Sequence, residues 1–361
     1  MCWGRDALNG PKPEGPTPIP NIPSPRALFA SGGATCAETS AGLSCWGDNL
    51  FGQIHMPPSL EYELPAGPSP EWQNADHGAL GPEGACVIGS AVLCWGQIGS
   101  SMTPSTRTRF GLVLESEQGK SPITGSRTVL PHAVPGIDRA VQVAFGIEHV
   151  CALMRDGTVR CLGENAVGQL GRLTKTFDGH HDAAPVEGLR DVVQIEAGLA
   201  ATCARTATGE VHCWGSNYHG HLGVENESSL VPNRRFVTIA PEPHDTFWPR
   251  PLRVQGLPPV RQLSVGGTHV CAVVEDGRVF CWGANAAGQL GVGNTVRQNT
   301  PNPMVGVDGA IDVAASSYGP KSHTCVLLTS GAVRCAGRNG HGELGTTPGK
   351  DELTAVPVPG L

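Results

Sequence analysis

The amino-acid sequence predicts an all-β protein, a β-propeller of four-stranded blades with six full blades and a partial seventh. Two observations on the 361 residues support this fold class. Glycine (49) and proline (31) are abundant while charged residues make up only 16%, which is typical of many short strands joined by tight turns. In addition, a cysteine-containing motif recurs along the chain, and such repetition is the signature of repeat architectures.

The recurring motif divides the chain into repeats of one design. Copies lie around residues 2–4, 36–47, 86–96, 151–171, 203–223, 271–291 and 325–345. The last four copies align without gaps and continue into Asn-x-x-Gly-x-Leu-Gly, whereas the first is only the half copy Cys2-Trp3-Gly4. We expect a single propeller domain over 1–361, with residues upstream of Met1 that complete the half copy.

The cysteines are spaced as hairpin partners. In the longer copies a three-residue loop such as Arg155-Asp156-Gly157, with glycine at the left-handed position, sets the two cysteines directly opposite each other. Opposed residues of an antiparallel pair lie roughly 4.5–5.5 Å apart at Cα, within the range of a disulfide. We therefore predict six disulfides: Cys36–Cys45, Cys86–Cys94, Cys151–Cys161, Cys203–Cys213, Cys271–Cys281 and Cys325–Cys335.

Other roles for the cysteines are less well supported. Zinc-binding cysteines are usually separated by two to four residues and the chain has no Cys-x-x-Cys, so no metal site is predicted. Plain buried cysteines stay open as an alternative. If the bridges form, the protein belongs in an oxidising, extracytoplasmic compartment, which is the periplasm, the cell surface or the medium.

The hairpins need cover on both faces. In the copy at 271–282, alternate residues are apolar on each side, and radial stacking of small sheets buries both sides at once. A strand-like run such as 260–265 precedes each hairpin. Proline-flanked runs follow it, and we interpret them as outermost strands because proline is tolerated at sheet edges: 185–189, 252–257 and 356–361.

The combined motif is Gly-x-x-His-x-Cys-Ala-…-Asp-Gly-x-Val-x-Cys-Trp-Gly-x-Asn-x-x-Gly-x-Leu-Gly, and it resembles the repeat of the regulator-of-chromosome-condensation family. The resemblance covers most of the chain outside the inserted loops and implies seven four-stranded blades. The cysteine pairs depart from the nuclear members and resemble exported bacterial relatives. Family activities range from nucleotide exchange on a small GTPase to inhibition of β-lactamases, so the fold does not select a function.

Candidate catalytic residues are scarce. His149, His269 and His323 recur before the first cysteine of their repeats, which favours a structural role between blades, satisfying backbone groups, over catalysis. The cluster Asp178–Asp182 could hold a metal ion, but it is better interpreted as a solvated polar turn. There is no nucleophile elbow and no phosphate-binding loop. We predict a protein that is not an enzyme and has no cofactor.

One insertion carries aromatic residues that the repeat does not need. The segment 236–248 contains Phe236, Phe247 and Trp248. Loops on a rigid scaffold often carry binding, and such side chains serve as interface anchors. Recognition requires Trp248 to be partly exposed. Alternatively, the rings only pack the insertion against its own blade.

The predicted function is a secreted or surface-exposed binding scaffold that recognises a protein or another macromolecule through loops on one face. The alternative, by family analogy, is a specific inhibitor or exchange-type regulator of an enzyme or GTPase. A net charge of −7 without a basic patch argues against a nucleic-acid partner. No apolar run is long enough to span a membrane, and a monomer is expected.

Overall fold

The structure is a computed structural model, and it describes residues 27–31, 34–39, 42–47, 64–68, 77–81, 84–96, 129–174, 180–225, 246–316 and 322–359. These residues form six four-stranded antiparallel sheets, here called blades 1 to 6, and contain no helix. The predicted all-β class is confirmed. The half copy Cys2-Trp3-Gly4, assigned to a partial seventh blade, lies outside the described residues, and the single domain over 1–361 stays a prediction.

The chain divides into two compact units. The first contains blades 1 to 3. Blade 1 consists of β1 (Ala27–Ser31), β2 (Ala34–Thr39), β3 (Gly42–Gly47) and β4 (Leu64–Pro68). Blade 2 consists of β5 (His77–Leu80), β6 (Gly84–Ile88), β7 (Val92–Gly96) and β8 (Val129–Ala133). Blade 3 consists of β9 (Ala140–Phe145), β10 (His149–Met154), β11 (Val159–Gly163) and β12 (His180–Pro185).

The second unit contains blades 4 to 6 together with the loop 166–173. Blade 4 consists of β13 (Val192–Ala197), β14 (Ala201–Thr206), β15 (Val211–Ser216) and β16 (Phe247–Arg253). Blade 5 consists of β17 (Val260–Val265), β18 (His269–Val274), β19 (Val279–Gly283) and β20 (Gln298–Pro303). Blade 6 consists of β21 (Ala310–Ala315), β22 (His323–Leu328), β23 (Val333–Gly337) and β24 (Glu352–Pro357).

The cysteine pairs bridge the second and third strands of every blade. In blade 5 the register places Cys271 opposite Cys281, and the backbone N–H of Val274 donates to the carbonyl of Arg278 at 3.0 Å. A three-residue loop therefore joins the strands, and its last residue, Gly277, has a φ of 84°. All six pairs are disulfide-bonded in the structure, with Cα atoms 4.1–4.2 Å apart, as in the close pairs of an antiparallel ladder.

The glycine of Cys-Trp-Gly is required by a close backbone approach. Gly283 has a φ of 109°, and a Cβ there would lie 2.7 Å from the carbonyl oxygen of Thr268. The preceding Trp282 is fully buried. Only a residue without a side chain allows the third strand to end so close to the first hairpin turn.

The predicted bounds of the outermost strands are wrong. The structure ends β12 at Pro185, β16 at Arg253 and β24 at Pro357, so the runs 185–189 and 252–257 and the described part of 356–361 extend beyond the strands. The pairs Gly188-Leu189 and Gly256-Leu257 lie in the connections, where Gly188 and Gly256 have φ values of 73° and 78°. These left-handed glycines redirect the chain into the next blade.

The apolar cores lie between neighbouring blades. One cluster joins Val211 and Leu222 of blade 4 to Leu263, Val270 and Trp282 of blade 5. A second cluster joins blades 5 and 6, and a third joins blades 2 and 3. Blade 5 is thus covered by blade 4 on one face and by blade 6 on the other, which explains the apolar residues on both faces of its hairpin.

The recurring histidine has a structural role. His269 is fully buried, and its Nε2 lies 2.8 Å from Oγ1 of Thr324 in blade 6. Thr324 in turn donates to the carbonyl of Gln289, at 2.7 Å. The predicted position between blades is correct for His269, but its partner is a hydroxyl group instead of a backbone group.

Candidate functional site on the loops of blades 4 and 5

The asparagine of Asn-x-x-Gly-x-Leu-Gly builds the loop that follows the third strand. In blade 4, the Oδ1 of Asn217 accepts the backbone N–H of Leu222 at 3.0 Å. Its own N–H donates to the carbonyl of Thr246 at 2.7 Å, and its Nδ2 lies 3.3 Å from Oγ1 of Thr246. Asn217 therefore ties the loop to the residue that begins the return into β16. Asn285 makes the corresponding bond to Leu290, at 3.1 Å.

The loop of blade 4 presents a tyrosine to solvent. Tyr218 is 49% exposed, and its carbonyl accepts a hydrogen bond of 2.9 Å from Nη1 of Arg297 in blade 5. The same guanidinium donates through Nε to Oδ1 of Asn299 at 2.7 Å. Next to it, Val296 is 65% exposed. Tyr218, His219, Val296 and Arg297 are together called the Tyr218 surface.

Two histidine rings pack in sequence behind Tyr218, His219 within the Tyr218 surface and His221 beneath it. The ring of His219 meets that of Tyr218 edge-on, with centroids 4.7 Å apart, and lies 5.8 Å from the ring of His221. Burial, with a contribution from the charge of Arg297, lowers the pKa of His219. His221 is buried with Nε2 3.2 Å from the carbonyl of Gly267, and burial lowers its pKa to about 3. Both rings are therefore neutral at pH 7, and His221 links the loop to blade 5.

The sequence does not single out the Tyr218 surface by itself. The signal that could have found it is a comparison of aligned repeats, because Ala166, Ala286 and Gly340 occupy the position of Tyr218 in the other complete copies. A large aromatic residue at a position that is otherwise small, on an exposed loop, is typical of binding. What that comparison could not reveal is Arg297, which is 79 residues from Tyr218.

The aromatic residues predicted to bind lie partly elsewhere. Phe236 falls outside the described residues. Phe247 begins β16 and is 8% exposed, while Trp248 is partly buried and pairs with Gly215 across the ladder. Both are strand residues, so the expectation that the blade does not depend on the segment 236–248 is wrong for its last two positions.

The described residues offer little for catalysis or metal binding. They contain no group of three or more histidine, cysteine or acidic side chains that could hold a metal ion. Burial raises the pKa of Glu196 to about 7, and its Oε1 accepts a 3.3 Å hydrogen bond from Gln194. This single carboxyl group could exchange a proton near neutrality, but it supports no reaction alone. None of the described residues forms a helix that could cross a membrane.

Comparison with known families gives consistent matches to one repeat. Residues 140–169, 192–220 and 260–289 match one description of the Regulator of chromosome condensation (RCC1) repeat, and residues 208–273 and 276–327 match another. The matched segments contain the cysteine hairpins of blades 3 to 5 and, in blade 6, β21 and all but the last residue of β22.

Similar sequences occur in much longer proteins. The chain is 29% identical over 210 residues to the mouse protein "Probable E3 ubiquitin-protein ligase HERC4", covering 57% of this chain and 18% of the relative. It is 30% identical over 230 residues to human "Probable E3 ubiquitin-protein ligase HERC6", covering 62% of this chain and 21% of the relative. The chain thus spans about a fifth of the length of these relatives.

Solved structures share the fold. Prp20p from Saccharomyces cerevisiae, reported with its binding properties to Gsp1p and histones, has a TM-score of 0.74 at 20% identity, covering 99% of this chain and 84% of its own. Human WBSCR16 has a TM-score of 0.72 at 20% identity, covering 99% of this chain and 88% of its own. These similarities confirm the predicted β-propeller class.

Proposed function

Since the chain belongs to the regulator-of-chromosome-condensation (RCC1) repeat family of β-propellers, we propose that it is an extracytoplasmic binding scaffold that recognises a protein partner through the Tyr218 surface. The observation that carries this proposal is that Tyr218 is half exposed while its backbone carbonyl is held by Arg297 of the neighbouring blade. A rigid, exposed aromatic residue binds at a low entropic cost.

The surroundings of Tyr218 fit an interface anchor. Tyrosine and arginine are, with tryptophan, the residue types enriched among the dominant contacts of protein interfaces. Here the Arg297 guanidinium donates a hydrogen bond to the Tyr218 backbone. The exposed Val296 adds apolar area beside them. Thr246, which precedes β16, is hydrogen-bonded to Asn217, the neighbour of Tyr218 in the loop.

An extracytoplasmic location is supported by the six disulfides. Thiol titration of the protein purified from its native source under alkylating conditions tests this. We expect the twelve paired cysteines to be unreactive before reduction. Reactivity of most of them would place the protein in a reducing compartment.

Capture at Tyr218 tests the binding role. The full chain with a photo-crosslinking phenylalanine analogue at position 218 is exposed to the native extracytoplasmic fraction, and the crosslinked protein is identified by mass spectrometry. The matched control carries the analogue at Val305, which is also 49% exposed. Val305 follows the end of β20, whereas Arg297, which contacts Tyr218, precedes the start of that strand. We expect one partner at position 218 that is absent at position 305.

The affinity of the captured partner then gives the decisive comparison. Tyr218→Ala should weaken binding by about tenfold or more, because truncating a dominant interface residue costs about 2 kcal/mol. The same change should leave the melting temperature unaltered, since the ring is half exposed. Equal affinities of the Tyr218→Ala and Val305→Ala variants would contradict a binding role for this surface.

Regulation of a bound enzyme is a second candidate function, supported by the structural similarity to Prp20p, a protein reported to bind Gsp1p. If the captured partner is an enzyme or a GTPase, its turnover or nucleotide release is measured with and without the full chain. A change that disappears with Tyr218→Ala supports regulation. An unchanged rate leaves the scaffold role alone.

A further inference from the structure

A cleft of about 760 Å³ lies in the unit of blades 1 to 3. Its walls come from the hairpin ends of the three blades and from the starts of two first strands, β5 and β9. This volume is in the range of sites that hold drug-sized molecules or short peptide segments, and it is far larger than one inorganic anion needs. The cleft belongs to a different unit from the Tyr218 surface, so its role is independent of the proposed function.

Two arginines are held side by side in this cleft by the backbone of blade 3. The N–H of Arg155, in the hairpin loop, donates to the carbonyl of Arg139, just before β9, at 3.4 Å. The same backbone bond recurs in blades 4 to 6, between Ala207 and Asp191, Glu275 and Pro259, and Thr329 and Gly309. The repeat therefore fixes the two positions as neighbours, whereas the pair of cations is particular to blade 3 among these four blades.

Both guanidinium groups are available to a ligand. Arg139 and Arg155 are exposed, and neither side chain forms a hydrogen bond or an ion pair with any residue that the structure describes. By contrast, two other exposed arginines have carboxylate partners, in the pairs Arg253–Glu210 at 2.9 Å and Arg278–Asp276 at 2.7 Å. Neighbouring like charges repel, and an oxyanion between them removes that repulsion while accepting paired N–H donors.

The remaining walls define the rest of the ligand. Val141 is 37% exposed and Ile88 lines the cleft as a buried residue, so an apolar group has a surface to cover. The acidic groups are Asp138 and Glu38, and Glu38 already lies 3.5 Å from Nδ1 of His77. The exposed Asp138 can accept a main-chain N–H of a bound segment.

We propose that the cleft at Arg139 and Arg155 binds an acidic peptide segment of a partner protein. Its carboxylate is held by the two guanidinium groups, and a neighbouring apolar side chain lies on Val141 and Ile88. A peptide fits better than a free phosphate or sulfate. A small anion would leave most of the cleft volume occupied by water and the apolar wall exposed to it.

Fluorescence anisotropy of the full chain with a labelled peptide of alternating glutamate and leucine tests this assignment. A lysine–leucine peptide of equal length and inorganic phosphate as a competitor complete the probe set. We expect the acidic peptide to bind and the basic one not to bind. Affinity should fall between about 50 and 200 mM salt, since the contact involves exposed charges.

The variant Arg139→Gln/Arg155→Gln removes the cations while keeping polar side chains of similar length. We expect about tenfold weaker peptide binding for each arginine removed. The matched control is Arg253→Gln/Arg278→Gln, which should bind as the parent does. Melting curves verify that both variants fold, and Val141→Asp, which leaves the arginines in place, should also weaken binding.

Equal affinity of the parent and the Arg139→Gln/Arg155→Gln variant would overturn the assignment. So would a site that binds inorganic phosphate but no acidic peptide, because the apolar wall would then be irrelevant. Tyr218→Ala should not change peptide affinity. Failure at this cleft is therefore distinguishable from failure of the Tyr218 surface.

Discussion

The indole Nε1–H of Trp282 in blade 5 donates a 2.8 Å hydrogen bond to the backbone carbonyl of His221 in the loop of blade 4. Trp214 makes the corresponding bond to the carbonyl of Gln169, at 3.0 Å. The tryptophan of Cys-Trp-Gly thus contributes more than apolar area. Its indole also hydrogen-bonds the backbone of the preceding Asn-x-x-Gly-x-Leu-Gly loop, so the two parts of the repeat motif are in direct contact.

Removing this donor should destabilise the protein, and the smaller side chain also leaves a cavity in the core. Trp282→Phe keeps an aromatic ring but leaves the buried carbonyl of His221 without its indole partner. We expect a loss of about 1–3 kcal/mol in the free energy of unfolding, measured by denaturant titration. Tyr218→Phe is the control, because its ring is half exposed and should change stability little. A loss below about 0.5 kcal/mol for Trp282→Phe would contradict the role of the hydrogen bond.

Acid should destabilise blades 4 to 6 as the pH falls below about 6.5. Burial lowers the pKa of His221 and of His269 to about 3, whereas each is near 6.5 in the unfolded chain. The unfolded state therefore binds more protons below pH 6.5, and stability falls as the pH drops from 6.5 towards 3. Each ring contributes about 1.4 kcal/mol per pH unit over most of this window.

Glu196 acts in the opposite direction. Its folded pKa, raised to about 7, favours the folded state as the pH falls from 7 towards its ordinary value of 4.5. Burial also lowers the pKa of His149 in blade 3, to about 4, so at least three imidazoles oppose one carboxyl group and the net effect between pH 6.5 and 5 is destabilising. Denaturant titrations at several pH values should show this slope, and His269→Asn should reduce it by about 1.4 kcal/mol per pH unit. An unchanged slope in that variant would show that His269 is not the titrating group.

The sequence allowed the central hairpins to be predicted because their rules are local. Cysteine spacing fixes the register of Cys271 opposite Cys281, and the run 260–265 coincides with β17. The outermost strands depend on longer-range contacts. Their Gly-Leu pairs look like strand ends, yet left-handed glycines such as Gly256 turn the chain there. Strand bounds that are set by such turns are hard to infer from composition.

The candidate site was less predictable than the fold. Trp248 is one of three aromatic residues proposed for recognition, with packing as the alternative. It pairs with Gly215 in a strand and is partly exposed, so its role in recognition stays a prediction. Tyr218 gains its fixed position from Arg297 in another blade. No local pattern encodes a contact between residues that far apart in sequence. The pair Arg139 and Arg155 differs, because it lies within one repeat whose recurring backbone bond makes the two positions neighbours.

The disulfides should add stability that rises only slowly, with the logarithm of the length of chain they close. Each of the longer pairs closes a loop of about ten residues, which gives roughly 2–3 kcal/mol by the chain-entropy account. Cys271→Ala/Cys281→Ala should lose about that amount in a denaturant titration. Non-reducing peptide mapping of the parent should return one linked peptide pair per hairpin. Links between different repeats would contradict the pairing.

The variant Trp248→Ala distinguishes a packing role of this residue from a recognition role, through its melting temperature and its partner affinity. The ring packs against the core shared by blades 4 and 5, and the next residue, Pro249, lies within 2.8 Å of the place a Cβ at Gly168 would take. Trp248→Ala should therefore lower the melting temperature, with a cost of about 2 kcal/mol for a partly buried ring. Trp248→Phe should recover most of that loss, because it restores the apolar contact.

The same Trp248→Ala variant should keep its affinity for a partner captured at Tyr218, provided that binding is measured well below its melting temperature. This expectation follows from the position of Trp248 inside β16, where its ring contributes to the blade and not to a free loop. A reduced affinity with an unchanged melting temperature would reverse the assignment. Trp248 would then be the anchor, and the role of Tyr218 would have to be tested again in its absence.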